Sequence, residues 1–82
     1  MILEKEYNDL IRRLNLPENA KKKNSLSFQP NGYDLVFHLK RIDTYVKAAS
    51  SNENNINLNL MELDYMVSLR YAKEIMDEQS WQ

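Results

Sequence analysis

Residues 25–42, SLSFQPNGYDLVFHLKRI, have the pattern of two strands joined by a tight turn. Asn31-Gly32 is a frequent type I′ hairpin dipeptide, because Asn tolerates and Gly readily adopts the positive φ angles of that turn. Gly32 is also the only glycine of the chain. The stretch therefore predicts a β-hairpin with strands over residues 25–30 and 33–47.

The second predicted strand alternates between apolar and other side chains as far as Leu39. Its apolar positions define an inner face that the core would cover; they are Tyr33, Leu35, Phe37 and Leu39. His38, the single histidine, falls on the opposite face, so we expect it to be exposed. The alternation fails after Leu39, which predicts a bulge or bend near 40–43. Residues 43–49 also fit helical spacing, so a short helix there is an open alternative.

A helix is predicted on each side of these strands. Apolar residues at helical spacing predict an amphipathic N-terminal helix over 3–15, ended by the approach to Pro17. Apolar residues alternating with asparagines predict a third strand over 56–60, followed by a helix over 61–78. We therefore expect an α+β fold class: a single small domain, 1–82, in α-β-β-β-α order. Its antiparallel meander of three or four strands would pack against both helices.

Composition narrows the chemistry that the chain can perform. It has no cysteine, one histidine and one glycine, which removes disulfides, thiolate metal sites and phosphate-cradling glycine loops. We therefore predict no catalytic residue, no cofactor, no metal ligand and no small-molecule substrate. The apolar stretches are far shorter than the roughly 20 residues that cross a bilayer. No membrane contact is expected, and the expected location is the cytoplasm.

The last predicted helix has two apolar stripes, whereas a helix resting on one sheet needs a single stripe. Val67, Tyr71 and Ile75 form the first stripe, which we assign to the sheet. The second stripe either lies against the N-terminal helix or contacts another protein; together with a tryptophan near the end of the chain, it is the candidate partner interface. Its residues are Tyr65, Leu69, Ala72, Met76 and Trp81. Whether Trp81 docks or is exposed is left open.

Charge is divided unevenly along a chain whose net charge is −1. Residues 1–47 carry +3 and residues 48–82 carry −4, which predicts a dipolar surface if the two parts stay apart. The candidate basic patch consists of Arg12, Arg13, Lys21, Lys22, Lys23, Lys40 and Arg41. Such a patch fits a solvated surface, an acidic protein or the phosphates of a nucleic acid.

These observations favour binding over catalysis. The sequence predicts a small non-catalytic protein-protein interaction module that associates with a larger protein or with itself as a homodimer. An inhibitor or accessory protein of a phage or mobile element would suit this compact, cysteine-free chain. The alternative is a nucleic-acid-binding protein that uses the basic surface of residues 12–13, 21–23 and 40–41.

Overall fold

The computed structural model describes residues 1–27, 34–51 and 57–82, and these form helices connected by turns. Four α-helices and one 3₁₀ turn account for the regular structure within these ranges. They are α1 (Glu4–Leu14), the 3₁₀ turn (Pro17–Asn19), α2 (Ala20–Asn24), α3 (Leu35–Ser50) and α4 (Leu58–Glu78). None of the described residues lies in a strand. The predicted α+β class is therefore wrong, because this part of the chain is all-helical.

Helix α3 replaces the second predicted strand. Asp34 caps its N-terminus: the carboxylate accepts a hydrogen bond from the Phe37 backbone N–H at 2.8 Å. An acceptor at this position satisfies one of the donors that the first helical turn leaves unpaired. The buried positions follow helical spacing; they are Leu35, His38, Ile42 and Tyr45. The prediction of a strand over 33–47 with a bend near 40–43 is therefore wrong. The helix left open for 43–49 is present, and it extends back to Leu35.

The other two predicted strands are affected in the same way. Ser25–Ser27 follow α2 without forming a strand, and the remainder of predicted strand 25–30 lies outside the described residues. The Asn31-Gly32 turn also lies outside them. In place of the predicted strand 56–60, Leu58–Leu60 form the first turn of α4. Helix α4 thus begins three residues before the predicted start at residue 61.

Helix α4 lies between α3 and α1. The start of α3 contacts the second half of α4, where His38 meets Ser68, and Tyr45 further along stacks on Tyr65 with ring centroids 4.4 Å apart. These contacts make α3 and α4 an antiparallel hairpin, packed along much of its length. Helix α1 runs parallel to α4 and touches it at fewer points. One of those contacts is the ion pair between Arg13 and Asp77, at 3.0 Å.

The core is a single cluster between the helices. Its buried apolar residues are Leu10, Leu14, Leu35, Ile42, Tyr45, Tyr65, Leu69, Ala72, Met76 and Trp81. Four of the ten belong to the same face of α4, so this helix contributes more to the core than any other element described. Burial of large side chains contributes about 1.5–3 kcal/mol each.

The C-terminal end of α4 turns back onto the core through a Schellman motif. The Trp81 N–H donates to the Met76 carbonyl at 2.9 Å, and the Ser80 N–H donates to the Asp77 carbonyl at 3.2 Å. Ser80 has a φ of 59°, the left-handed conformation that this motif requires after the last helical residues. The reversal places the Trp81 side chain in the core, with 6% of its surface exposed. Trp81 is therefore docked.

Arg13 then ties the last two residues to α1. Its guanidinium donates from Nε to the Gln82 carbonyl at 3.0 Å and from Nη2 to the Trp81 carbonyl at 3.1 Å. Asn19 completes the tie, since it donates to the Arg13 carbonyl at 2.7 Å and accepts from the Gln82 N–H at 3.0 Å. Arg13 and Asn19 are both buried, and these bonds satisfy polar groups that burial would otherwise penalise.

Candidate interaction surface

Helix α4 has an apolar stripe that the other described helices leave largely exposed. We call it the outer stripe; it consists of Leu60, Leu63, Val67 and Tyr71. Their exposed fractions are 64%, 59%, 47% and 48%. The spacing of three, four and four residues keeps all four within an arc of about 80° at 100° per residue. Scattered apolar residues are ordinary on a surface, but a continuous stripe on one helix is typical of a contact site.

The opposite side of α4, the inner stripe, is buried. It consists of Tyr65, Leu69, Ala72 and Met76, and these residues are between 0% and 6% exposed. They are the residues predicted from the sequence, with Trp81, as the partner interface. The structure places all five in the core of the chain, so they offer no free surface to a partner. Val67 and Tyr71, which the sequence assigned to the sheet, are exposed instead.

A groove of about 920 Å³ lies between α1 and the segment of α4 from Met66 to Glu74. Leu3 and Leu10 of α1 line one wall, and Met66, Val67 and Tyr71 of α4 line the other. The outer stripe therefore continues into a concave surface instead of ending on a convex helix. A groove with an apolar floor is the kind of surface into which an amphipathic helix packs.

Charged side chains of both signs line the rim of the groove. Lys5, Glu6 and Asp9 stand on the α1 side, while Arg70, Lys73 and Glu74 stand on the α4 side. Arg70 and Glu74 approach each other at 3.9 Å. A hydrogen bond from Arg12 holds the pKa of Asp9 below its usual value, so this carboxylate is charged at neutral pH. The rim carries no large excess of either charge.

Two residues of the predicted basic patch lie at the end of α1, and both meet carboxylates. Arg12 donates to Asp9 at 2.7 Å on an exposed surface. Arg13 is 8% exposed and is used for the tie to the C-terminal residues and for the pair with Asp77. Arg13 is thus a structural residue of the core.

The remaining basic residues of the predicted patch are on α2 and α3. Lys22 donates to the Gln79 carbonyl, and Lys23 donates to the Asn15 side chain at 2.7 Å. On α3, Arg41 pairs with Asp64 and its guanidinium lies 5.2 Å from the centre of the Phe37 ring. Lys21 and Lys40 are exposed. The local positive charge is therefore reduced at Arg12, Arg13 and Arg41 by neighbouring carboxylates.

His38 is buried, in contrast to the exposed position predicted for it. It is 4% exposed, and its Nδ1 lies 3.2 Å from the Ser68 hydroxyl oxygen. The Tyr71 ring stacks on the imidazole with centroids 5.3 Å apart. Tyr71 thus covers His38 with one face while its exposed part belongs to the outer stripe. The signal that could have found this position is its place between Leu35 and Ile42 in a helical repeat.

Two tyrosines of the core have raised pKa values. Burial raises the pKa of Tyr65 to about 12, and its hydroxyl donates to the Ile2 carbonyl at 2.8 Å. Burial also raises the pKa of Tyr45, and its hydrogen bond to Glu62 adds to that rise. Both hydroxyls therefore remain protonated at neutral pH and act as hydrogen-bond donors. Neither is a candidate proton acceptor.

Neither a metal-binding group nor a membrane-spanning helix is found in the part of the chain that the structure describes. Within it, no group of three His, Cys, Asp or Glu side chains is arranged to hold a metal ion. Among the same residues, no helix combines the length and the apolar character needed to cross a bilayer. The structure has an apolar groove with a mixed-charge rim, which is a surface suited to non-covalent contact.

Comparison with known proteins adds no relative from which a function could be transferred. The chain matched no protein-family model, no curated protein and no solved structure.

Proposed function

We propose that this protein is a small helical interaction module whose binding surface is the outer stripe of α4 with the adjoining groove. The observation that carries the proposal is the exposure of Leu60, Leu63, Val67 and Tyr71 on one side of a single helix. Each of these side chains would lose contact with water in a complex, which is favourable at roughly 25 cal/mol per Å² of apolar surface.

The position of the groove supports the same proposal. Hot spots of binding are commonly aromatic and aliphatic anchors surrounded by groups that exclude water. Tyr71 fits this description, because its ring is fixed against His38 while about half of its surface remains exposed. A side chain that is already held in place loses little conformational freedom on binding.

Catalysis has less support than binding. His38 and Ser68 are the nearest approach to a nucleophile and base, but they are 4% and 0% exposed. A nucleophile must reach its substrate, and this pair lies between two closely packed helices. Its evident role is to satisfy two polar side chains inside the α3–α4 interface.

Nucleic-acid binding through the predicted basic patch also has less support. Affinity for phosphates depends on Lys and Arg side chains that displace the counterions condensed on the nucleic acid. Three of the seven patch residues already pair with carboxylates. We also propose that the protein acts in the cytoplasm. Its role as an inhibitor or accessory protein of a phage or mobile element stays a prediction.

The proposal can be tested by site-specific photo-crosslinking in the cells that naturally contain the protein. A photoreactive amino acid is placed at Val67 in one variant and at Asn8 in another, because Asn8 is exposed on α1 but does not line the groove. We expect one discrete adduct from position 67, reduced by excess unlabelled protein, and none from position 8.

Equal labelling at both positions, or no adduct at position 67, would contradict the proposal. The far-ultraviolet circular dichroism of both variants should match that of the wild type, which excludes unfolding as the source of any difference. The mass of the adduct identifies whether the partner is the same chain or another protein.

A further inference from the structure

We propose that the partner of the outer stripe is a second copy of this chain, with the two α4 helices packed face to face about Val67. This inference rests on the proposed function, because it names the occupant of the same surface. Three independent observations carry it: the size of the exposed surface, the charge around the groove and the geometry of the apolar ridge.

The first observation is the surface area of the chain. A monomer of 9.8 kDa is expected to expose roughly 5200 Å². This chain exposes 5979 Å², which is about 800 Å² more than expected. One side of a stable protein interface buries about 800 Å². The excess is of the same order as the area that one copy would contribute to a dimer of ordinary size.

The molecule is also flattened in one direction. Its principal extents are 38 × 29 × 18 Å, so it is about half as thick as it is long. Helices α3 and α1 both pack on α4, and they leave Leu60, Leu63 and Val67 exposed. A second flat copy laid on these residues would place α4 at the centre of the assembly.

The second observation is the balance of charge. Two copies can pair only if each surface is complementary to itself, because a two-fold interface brings the same patch together twice. The rim of the groove carries Lys5, Arg70 and Lys73 against Glu6, Asp9 and Glu74, and the whole chain has a net charge of only −1. Electrostatic repulsion therefore does not oppose the association of two copies. A strongly acidic or strongly basic partner would meet no surface of complementary charge on this rim.

The third observation is the arrangement of the apolar side chains. Leu63, Val67 and Tyr71 are spaced by four residues, so they form one ridge along the helix. Ridges of this kind interdigitate with the same ridge of another helix, at a crossing angle near −50°. With Val67 at the two-fold axis, Leu63 of each copy lies towards Tyr71 of the other, and each large side chain meets a complementary gap.

Sedimentation equilibrium of the purified full chain tests the assembly directly. We expect the wild type to approach twice 9.8 kDa as its concentration rises, and Val67→Glu to raise the dissociation constant roughly a hundredfold. Asn8→Glu adds the same charge outside the groove and should leave the dissociation constant within about twofold of the wild type. Leu63→Gln, which adds no charge, provides a second test if Val67→Glu does not fold.

The absence of cysteine allows a second test of the geometry. Val67→Cys introduces a single thiol, which should lie near the same thiol of the second copy at the two-fold axis. The two Cα atoms should then be about 4.4–6.8 Å apart, the distance that a disulfide requires. Mild oxidation should give a covalent dimer at least ten times faster than with Asn8→Cys. Similar rates from the two variants would overturn the proposed packing.

The outcomes separate this inference from the proposed function. A wild type that stays monomeric, or a dimer that Val67→Glu leaves intact, overturns pairing through α4. If photo-crosslinking at Val67 then yields an adduct with a different protein, the interaction module stands and only the identity of its partner was wrong. If that position yields no adduct either, both proposals fail.

Discussion

The two faces of α4 are similar in composition but differ in their surroundings. The inner stripe of Tyr65, Leu69, Ala72 and Met76 is covered by α3 and α1. The outer stripe borders α1 along the groove and meets α3 where Tyr71 stacks on His38. Each stripe contains a tyrosine and aliphatic side chains. Periodicity therefore locates the apolar faces of a helix, and the packing of the other helices decides which of these faces is buried within the chain.

The largest expected difference between the two faces is in folding stability. Met76→Ala should lower the free energy of unfolding by about 2–5 kcal/mol, because a fully buried side chain leaves a cavity. Leu63→Ala should change it by about 0.5 kcal/mol or less in the monomer, since that side chain is 59% exposed. Urea denaturation at low protein concentration measures both. Equal losses would contradict the assignment of the faces.

The end of α4 provides the next comparison, between two adjacent arginines. Arg13→Ala should cost about 2–3 kcal/mol, because the Trp81 and Gln82 carbonyls and Asp77 lose a charged donor. Arg12→Ala removes an exposed pair with Asp9 and should cost about 0.5 kcal/mol. Thermal unfolding of the two variants measures the difference. A comparable effect from Arg12→Ala would show that the tie to the C-terminal residues contributes little.

The buried tyrosines of the core should make the folding stability depend on alkaline pH. Tyr65 has a pKa of about 12 when folded and 10.0 as its ordinary value, so the unfolded chain loses this proton first. Its contribution to stability is complete below pH 10 and disappears as the pH rises to about 12, a loss of roughly 3 kcal/mol. Denaturant titrations at stepwise higher pH should show this decline. Burial of Tyr45 adds to it in the same direction.

Phenylalanine variants assign that alkaline decline to one face. Tyr65→Phe should make the dependence on pH shallower, because the ionising hydroxyl is gone. Tyr71→Phe on the outer stripe retains the ring that stacks on His38 and should leave the decline as steep as in the wild type. If Tyr71→Phe flattens the curve equally, Tyr65 is not the group responsible.

The smallest expected effect is a gain in stability at Ser80. This residue has a φ of 59°, a conformation that costs a residue with a Cβ atom more than it costs glycine. Ser80→Gly should therefore raise the free energy of unfolding by about 0.5–1 kcal/mol. A matched Ser51→Gly change, at an extended residue with φ −81°, should not stabilise the chain. Differential scanning calorimetry resolves the two.

The sequence predicts the helices at the two ends better than the segment between them. Helix α1 occupies Glu4–Leu14, within the span of 3–15 that its apolar spacing predicts, because Pro17 and the amphipathic pattern act locally. Helix α3 was missed because Leu35, Phe37 and Leu39 fit a period of two while Leu35, Leu39 and Ile42 fit a period of 3.6. The failure of alternation after Leu39 and the capping carboxylate of Asp34 were the signals for the helix.

For the candidate surface, the sequence predicts that α4 has two apolar stripes but not which of them is exposed. Periodicity places Val67 and Tyr71 on one stripe and Tyr65 and Leu69 on the other, but both are equally apolar. Which stripe is covered depends on where α3 and α1 pack, and those contacts join residues far apart in the chain. Docking of Trp81 was hidden for a related reason, because a serine occupies the left-handed position where glycine would have marked the turn.

The buried tryptophan near the C-terminus has a practical consequence for experiments. It is the only indole of the protein, so the intrinsic emission excited near the red edge reports a single location. That location is the junction of α4 with Arg13, remote in sequence from α3. A red shift of the emission that precedes the loss of helical ellipticity would reveal release of the last two residues as a separate step.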